Sequence, residues 1–319
     1  MKKLGLYAVL FLLFNLGCNL TNRQSKAYFD ENTVPPGGIL VGPNFYCDQS
    51  EVGNIDWLEY MFWTGRVFGG DSKEYLATVP DTSVWIDQDT TLHGFAAFYL
   101  QSPAYKSYPV VGVSKAQVMD YSKWRGDRVF ESQLIKDKII EENLKPTPEN
   151  YFTIAKYINR EFNNLKSKDK VKFYPSFRLA TSDEWQDILL FSDSLDNYYN
   201  QKSRAYRKCL TQKSRIISDF TPPTESYKWP NACYNCPAPA RGYYYHCSPR
   251  NMNALWELRG NVCELLADTN LCAGGSWVHP KERILESDTF YISKPNAYTG
   301  FRNVCEWRPI EELYFSKND

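Results

Sequence analysis

The chain has 319 residues, with 37 basic and 37 acidic side chains, a formal net charge of zero and a pI near 6.8. That balance excludes a nucleic-acid binder, which needs a basic surplus to neutralise phosphates, and a composition 43% hydrophobic and 23% charged excludes a disordered chain. Aromatic residues are abundant, with 23 Tyr, 18 Phe and 9 Trp making 16% of the chain, which suits a loop-rich fold with irregular packing better than a helical bundle.

Met1-Lys2-Lys3 is a short cationic start, and residues 4–16 are apolar apart from Asn15. A segment of that length rises only about 20 Å as a helix, short of a bilayer core of about 30 Å. Residues 1–17 therefore read as a secretory signal. Leu16-Gly17-Cys18 resembles the lipobox of bacterial lipoproteins, with Asn15 where Leu is usual. The resemblance implies cleavage before Cys18 and its acylation, by palmitate among other chains; a simple signal peptide is the alternative. Residues 18–36 are polar, end at Pro35-Pro36 and read as a lipidated tether. No later run of about 20 apolar residues follows, so the expected product is a globular domain held to a membrane by its lipid. No acidic residue directly follows Cys18. Surface-export signals of some lipoproteins are acidic there, which favours an outer-membrane anchor facing the periplasm.

The main domain is expected over residues 37–310, with a tail at 311–319. Residues 38–46 alternate loosely and predict a strand. Asn54 is placed as the N-cap of a helix over 55–67, with Ile55, Leu58, Met61 and Phe62 on its apolar stripe. Residues 70–108 lack periodicity and read as irregular coil. Pro109-Val-Val-Gly-Val113 predicts a short strand. Ser114 and Gln117 form a capping box for a helix that turns Val118, Tyr121 and Trp124 inward. The charged stretch 127–170 is expected to be helical, interrupted at Pro146 and Pro148. Thr181 with Glu184 is a second capping box, opening a helix through Trp185, Ile188 and Leu189. Residues 190–250, rich in Tyr, Lys and Cys, read as an insertion.

Besides Cys18 there are eight cysteines: Cys47, Cys209, Cys233, Cys236, Cys247, Cys263, Cys272 and Cys305. An even number in an exported chain fits disulfides, although sequence cannot choose the pairing. Buried thiols, or a zinc site at Cys209, Cys233, Cys236 and Cys247, are the alternatives.

Five segments together resemble the formylglycine-generating-enzyme (sulfatase-modifying factor) family. They are Phe45-Tyr-Cys-Asp-Gln-Ser-Glu51-Val-Gly-Asn54; Pro109 to Ser114 with Tyr121 and Trp124-Arg125-Gly126; Phe177-Arg178-Leu-Ala-Thr181-Ser-Asp-Glu184-Trp185; Leu255-Trp-Glu257-Leu-Arg-Gly260-Asn261-Val262-Cys263-Glu264; and Gly274-Gly275-Ser276-Trp277, followed by Gly300-Phe301-Arg302. The resemblance implies one α+β domain of C-type-lectin-like character, loop-rich and with little regular secondary structure.

Active members of this family oxidise a substrate cysteine to formylglycine with two cysteines that bind copper(I), a metal that demands soft thiolate ligands. Those positions here are His279 and Ile284. Neither is a thiol, and the chain is expected to be inactive in the family reaction. A structural calcium site of the family carries over to the carboxylates of Glu257 and Glu264 and the carbonyls of Gly260 and Val262, oxygen ligands suited to Ca²⁺. The alternative is a pair of surface glutamates on a turn. Trp185, Trp277 and Phe301 are expected in the core. Arg178 and Arg302 are expected to pair internally with carboxylates such as Glu51 or Glu184.

The first functional expectation is a non-catalytic, lipid-anchored scaffold, binding other envelope or outer-membrane proteins and no nucleic acid. Lipoproteins of the gliding-motility and type IX secretion machinery, which couple a lipobox to a degenerate domain of this family, are its nearest analogues. A metal-dependent oxidase relocated to Cys272, Cys305 or His279 is the second reading. A glycan- or peptide-binding module is the third.

Overall fold

The structure, a computed structural model, describes residues 33–88, 90–159, 161, 171–202, 232–233, 255–279 and 289–311. The expected signal, Cys18, most of the tether and the tail beyond residue 311 lie outside the described residues.

Where the sequence predicts one strand, the chain forms a hairpin. Gly38–Gly42 (β1) and Phe45–Asp48 (β2) pair antiparallel across Pro43 and Asn44. Asn44 adopts φ 54°, a left-handed conformation that asparagine tolerates in turns. Its side chain donates to the Trp307 carbonyl at 2.8 Å and accepts from the Trp307 amide at 3.0 Å. Trp307 belongs to Val304–Pro309 (β10), which also pairs antiparallel with β2 and with Phe173–Arg178 (β3). The sheet order β1-β2-β10-β3 thus joins the two ends of the domain. A second sheet joins Cys263–Leu265 (β6), Leu271–Ala273 (β7), Phe290–Tyr291 (β8) and Thr299–Gly300 (β9) in the order β8-β7-β6-β9. Ala232–Cys233 (β4) pairs parallel with Arg259–Gly260 (β5).

Asn54–Phe68 (α1) is capped by Gly53, whose amide donates to Asp56 Oδ2 at 2.9 Å. Asn54 is therefore inside the helix rather than its cap. The buried face differs in part from expectation: Met61 is buried and Leu58 packs against the core as expected, but Ile55 and Phe62 are exposed and Trp57, Tyr60, Thr64 and Val67 turn inward. Ring contacts of Trp57 and Tyr60 with Tyr121 set the inward face, and Phe62, which has no place in that cluster, stays outside. Trp57 stacks on Tyr121 at 5.3 Å and meets Phe301 edge-on at 6.0 Å.

The expected coil at 70–108 contains Lys73–Thr78 (α2), Phe95–Phe98 (α3) and three 3-10 turns. Trp85, Phe95, Tyr99, Tyr105 and Tyr108 pack ring against ring there, so aromatic contact replaces the missing periodicity. Val110 and Gly112 donate to the carbonyls of Val52 and Asn296. The segment is extended between loops and makes only an isolated bridge from Pro109 to Gly53, not the expected strand.

Both predicted capping boxes form. Ser114 Oγ accepts from the Gln117 amide and Gln117 Oε1 from the Ser114 amide, opening Lys115–Lys136 (α4). Thr181 Oγ1 accepts from the Glu184 amide and Glu184 Oε2 from the Thr181 amide, opening Ser182–Lys202 (α6). Beyond α4, only Ile154–Ile158 (α5) is helical among the described residues of the charged stretch. The domain is α+β and rich in loops, but α1, α4 and α6, of 15, 22 and 21 residues, give it more regular structure than expected. No helix among the described residues is long and apolar enough to cross a membrane.

Gly274 is one position where only glycine fits. Its φ is 85°, and a Cβ there would lie 2.5 Å from the Leu258 carbonyl oxygen, a backbone atom that cannot step aside. Gly274→Ala should lower unfolding free energy by about 1–3 kcal/mol in urea titrations. An unchanged midpoint would show that the loop relaxes without cost.

Candidate functional site

The recognised motifs converge on a buried charged node. Glu264, on β6, and Arg302, just after β9, form an ion pair with a shortest N···O of 2.6 Å, each side chain 2% exposed. Arg302 Nε also bridges both Glu264 oxygens at 2.8 Å. Its terminal nitrogens donate to the carbonyls of Asp48, Gln49 and Trp256. Trp185 Nε1, from α6, completes the carboxylate's shell at 3.2 Å. The expected internal pairing of Arg302 is met by Glu264. Glu51 stands close by, with Oε1 accepting from Asn261 Nδ2 at 3.1 Å.

The neighbouring Asp48 holds Arg125 through both guanidinium nitrogens, at 2.5 and 2.8 Å, and accepts from the Asn303 amide at 3.0 Å. Asn303 continues to Ser122 Oγ at 2.7 Å. Arg178 pairs with Glu184, as expected, and with Glu306. Glu264 takes the Arg302 guanidinium directly, while Glu51 feels it only through its field. Burial pushes the Glu51 carboxyl up to about 8, with Glu264 adding to the rise and Arg302 opposing it.

The family's copper position lies on the loop after β7. Trp277 donates its amide to the Asn261 carbonyl at 2.8 Å and Nε1 to the Ala297 carbonyl at 3.1 Å, and it is buried as expected. His279 Nδ1 lies 2.8 Å from the fully buried Ser276 Oγ, and its ring stacks on Phe290 at 3.8 Å. Ile284 lies outside the described residues. An imidazole and a branched hydrocarbon do not supply the paired thiolates that copper(I) requires, so these residues do not fit the family's metal.

The cysteines considered for a relocated site are separated. Cys263 and Cys272 form a disulfide between β6 and β7, with Cα atoms 5.4 Å apart. Cys47 and Cys305 are buried thiols rather than disulfide partners. Their register explains this: Cys47 faces Val304 and Cys305 faces Tyr46, a one-residue offset that puts the sulfurs on opposite faces of the sheet. Burial pushes the Cys47 thiol up to about 12 and raises Cys305 as well. The side chains of Cys209, Cys233, Cys236 and Cys247 lie outside the described ones. No group of three or more His, Cys, Asp or Glu side chains placed to hold a metal occurs among the described residues.

The calcium set was expected from Glu257, Gly260, Val262 and Glu264. Both glutamates are 1% exposed, which overturns the surface-turn alternative. Glu257, Gly260 and Asn261 all have positive φ, so the turn is tightly wound. Glu264, however, is engaged by Arg302 and Trp185, and a cation there would have to displace a guanidinium. The donor set does not fit calcium through that carboxylate.

Against this geometry the relationship is clear. The chain matches the sulfatase-modifying factor enzyme 1-like domain over residues 14–307 and belongs to that family. The match begins inside the expected signal segment. Among solved structures, "Crystal Structure of CarF" is similar at 14% identity, covering 82% of this chain and 86% of that one, with a TM-score of 0.36. No curated protein matches in sequence.

Sequence reasoning missed the roles of Asp48, Arg125 and Asn303. Arg125 stood within a recognised motif, but nothing marked Asp48 as its partner.

Glu51 has a measurable consequence. Its carboxyl titrates near 4.5 ordinarily and near 8 here, so between those values the folded chain holds a proton that the unfolded chain has lost. Stability should therefore fall as pH rises from about 4.5 to about 8, then level off, by on the order of a few kcal/mol. Urea unfolding at pH 5 and 8.5 should show that fall, and Glu51→Gln should flatten it. An equal slope in the variant would remove Glu51 as the cause.

Proposed function

We propose that this chain is a non-catalytic member of its family: a lipid-anchored scaffold on the periplasmic face of an outer membrane, where it binds other envelope proteins. The observation that carries the reading is the chemistry of the family's metal position, where His279 and Ile284 stand in place of two thiols. The nearby sulfurs do not substitute, because Cys272 is tied to Cys263 and Cys305 is buried. A machine of the gliding-motility or type IX secretion kind is the concrete setting this reading favours, by analogy with lipoproteins that pair a lipobox with a degenerate domain.

The anchor is proposed at Cys18, with residues 1–17 removed and 18–36 as tether. Several acyl chains on one residue hold a protein stably, which suits a fixed scaffold. An oxidase is the competing reading, and it requires conversion of a cysteine-containing peptide.

Metabolic labelling with a palmitate analogue tests the anchor, and incubation with a cysteine peptide, copper and oxygen tests the chemistry. The expected results are label lost in Cys18→Ser, release of that variant from the membrane fraction, and no peptide aldehyde. Peptide conversion by the wild-type chain that disappears in His279→Ala would overturn the non-catalytic reading. Unlabelled, freely soluble wild-type protein would overturn the anchor.

A further inference from the structure

Beside the polar network, α4, α5 and β3 line a half-open cavity of about 290 Å³, which shares Ser122 with that network. It has room for roughly ten water-sized groups. Ile154, Ile158, Tyr174, Pro175 and Phe177 supply most of its wall, so the interior is mainly apolar. Asp127 stands in that wall at 7% exposure.

Asp127 is the unusual feature. One oxygen, Oδ1, accepts from the Ile154 amide at 2.7 Å, which fixes the carboxylate at the start of α5. The other, Oδ2, makes no hydrogen bond among the described residues, yet it is not sealed from solvent. No ion pair among the described residues reaches this carboxylate. The nearby cations point elsewhere. Arg128 donates to Glu131 and to the Phe152 carbonyl, and its guanidinium lies over Trp63. Lys156 donates to the carbonyls of Glu149 and Tyr151. Lys123 lines the cavity but is exposed and forms no ion pair with Asp127. It precedes Asp127 by four residues on α4, the weaker order for a basic and acidic pair on a helix.

A nearly buried carboxylate with one available oxygen, set among apolar walls, selects its ligand by charge and shape. One acceptor suits a single-point donor, whereas a planar guanidinium seeks two. Apolar walls suit a methylene stem and disfavour a sugar or a nucleotide. The volume lies at the lower end of ligand pockets, enough for one side chain. We propose that this cavity is a docking pocket for the side chain of a lysine presented by a partner protein, its ammonium meeting Asp127 and its stem lying along Ile154, Ile158 and Phe177. The site is separate from the family's copper position and does not depend on the anchor. Burial raises the Asp127 carboxyl to about 6, against the pull of Arg128 and Lys123, so it carries its charge at neutral pH and gains from a cation.

Titration calorimetry of the full chain in detergent at pH 7.5 tests this with n-butylammonium, n-butanol, and a Gly-Lys-Gly peptide capped at both ends. One n-butylammonium should bind per chain, the capped peptide should displace it, and n-butanol should bind about tenfold or more weakly. Asp127→Asn keeps an acceptor for the Ile154 amide but loses the charge, and should weaken both cationic probes by about tenfold or more. Ala155→Trp, at an exposed lining position, should block binding while leaving the melting temperature unchanged. Lys123→Ala should bind as well as wild type or better. Equal binding of butanol and butylammonium, or unchanged binding by both Asp127→Asn and Ala155→Trp, would overturn the pocket. Butylammonium binding without displacement by the peptide would overturn its assignment to a partner's lysine.

Discussion

The arrangement turns on one buried ion pair, Arg302 with Glu264. A guanidinium and a carboxylate each 2% exposed lose nearly all their hydration, a loss that only close mutual contact and further hydrogen bonds can offset. Arg302 obtains both. It bridges Glu264 and donates to the carbonyls of Asp48, Gln49 and Trp256, which belong to two separate stretches of chain. Removing one member of such a pair costs about 3–5 kcal/mol, because the other is left buried and charged. An apolar replacement of both would also withdraw the guanidinium donors from these carbonyls, although the Gln49 carbonyl would keep the Trp256 amide. The pair therefore fixes where the two sheets and the Trp256 segment meet, beyond any net contribution to stability.

Other constraints reinforce this junction from its edges. The Cys263–Cys272 disulfide staples β6 to β7 beside Glu264. Asp48, Arg125, Asn303 and Ser122 extend the polar network to α4. The aromatic abundance also finds its place. Trp57, Tyr121 and Phe301 pack under the junction, and the Trp85 cluster gives irregular loops a core of their own.

Legibility in the sequence followed how local the physics was. Both capping boxes were readable because four consecutive residues carry the whole interaction, and both form. The inward face of α1 was legible only in part: Met61 lies on it, but the contacts that turn Trp57 and Tyr60 inward in place of Ile55 and Phe62 come from α4, distant in sequence. Residues 109–113 look like a strand by composition, but a strand needs a partner ladder, and the neighbours of Val110 and Gly112 are loops far away in sequence. The family motifs revealed the missing thiols at 279 and 284, since that is a matter of residue type at a known offset. The partner of Arg302 was not legible: Glu51 and Glu184 were the carboxylates named for it, and only the fold brings Glu264, assigned to the calcium set, against it. Asp127 gave no signal at all: its meaning depends on a cavity formed by two helices and a strand.

The central claim is that this chain keeps the family's framework without its copper chemistry. Anaerobic titration of the reduced, purified protein with copper(I), in competition with a chromophoric chelator, tests that claim most directly. The account predicts no copper retained in a one-to-one complex, and no difference between wild type and His279→Ala. One copper per chain, held against the chelator and lost in His279→Ala, would contradict it.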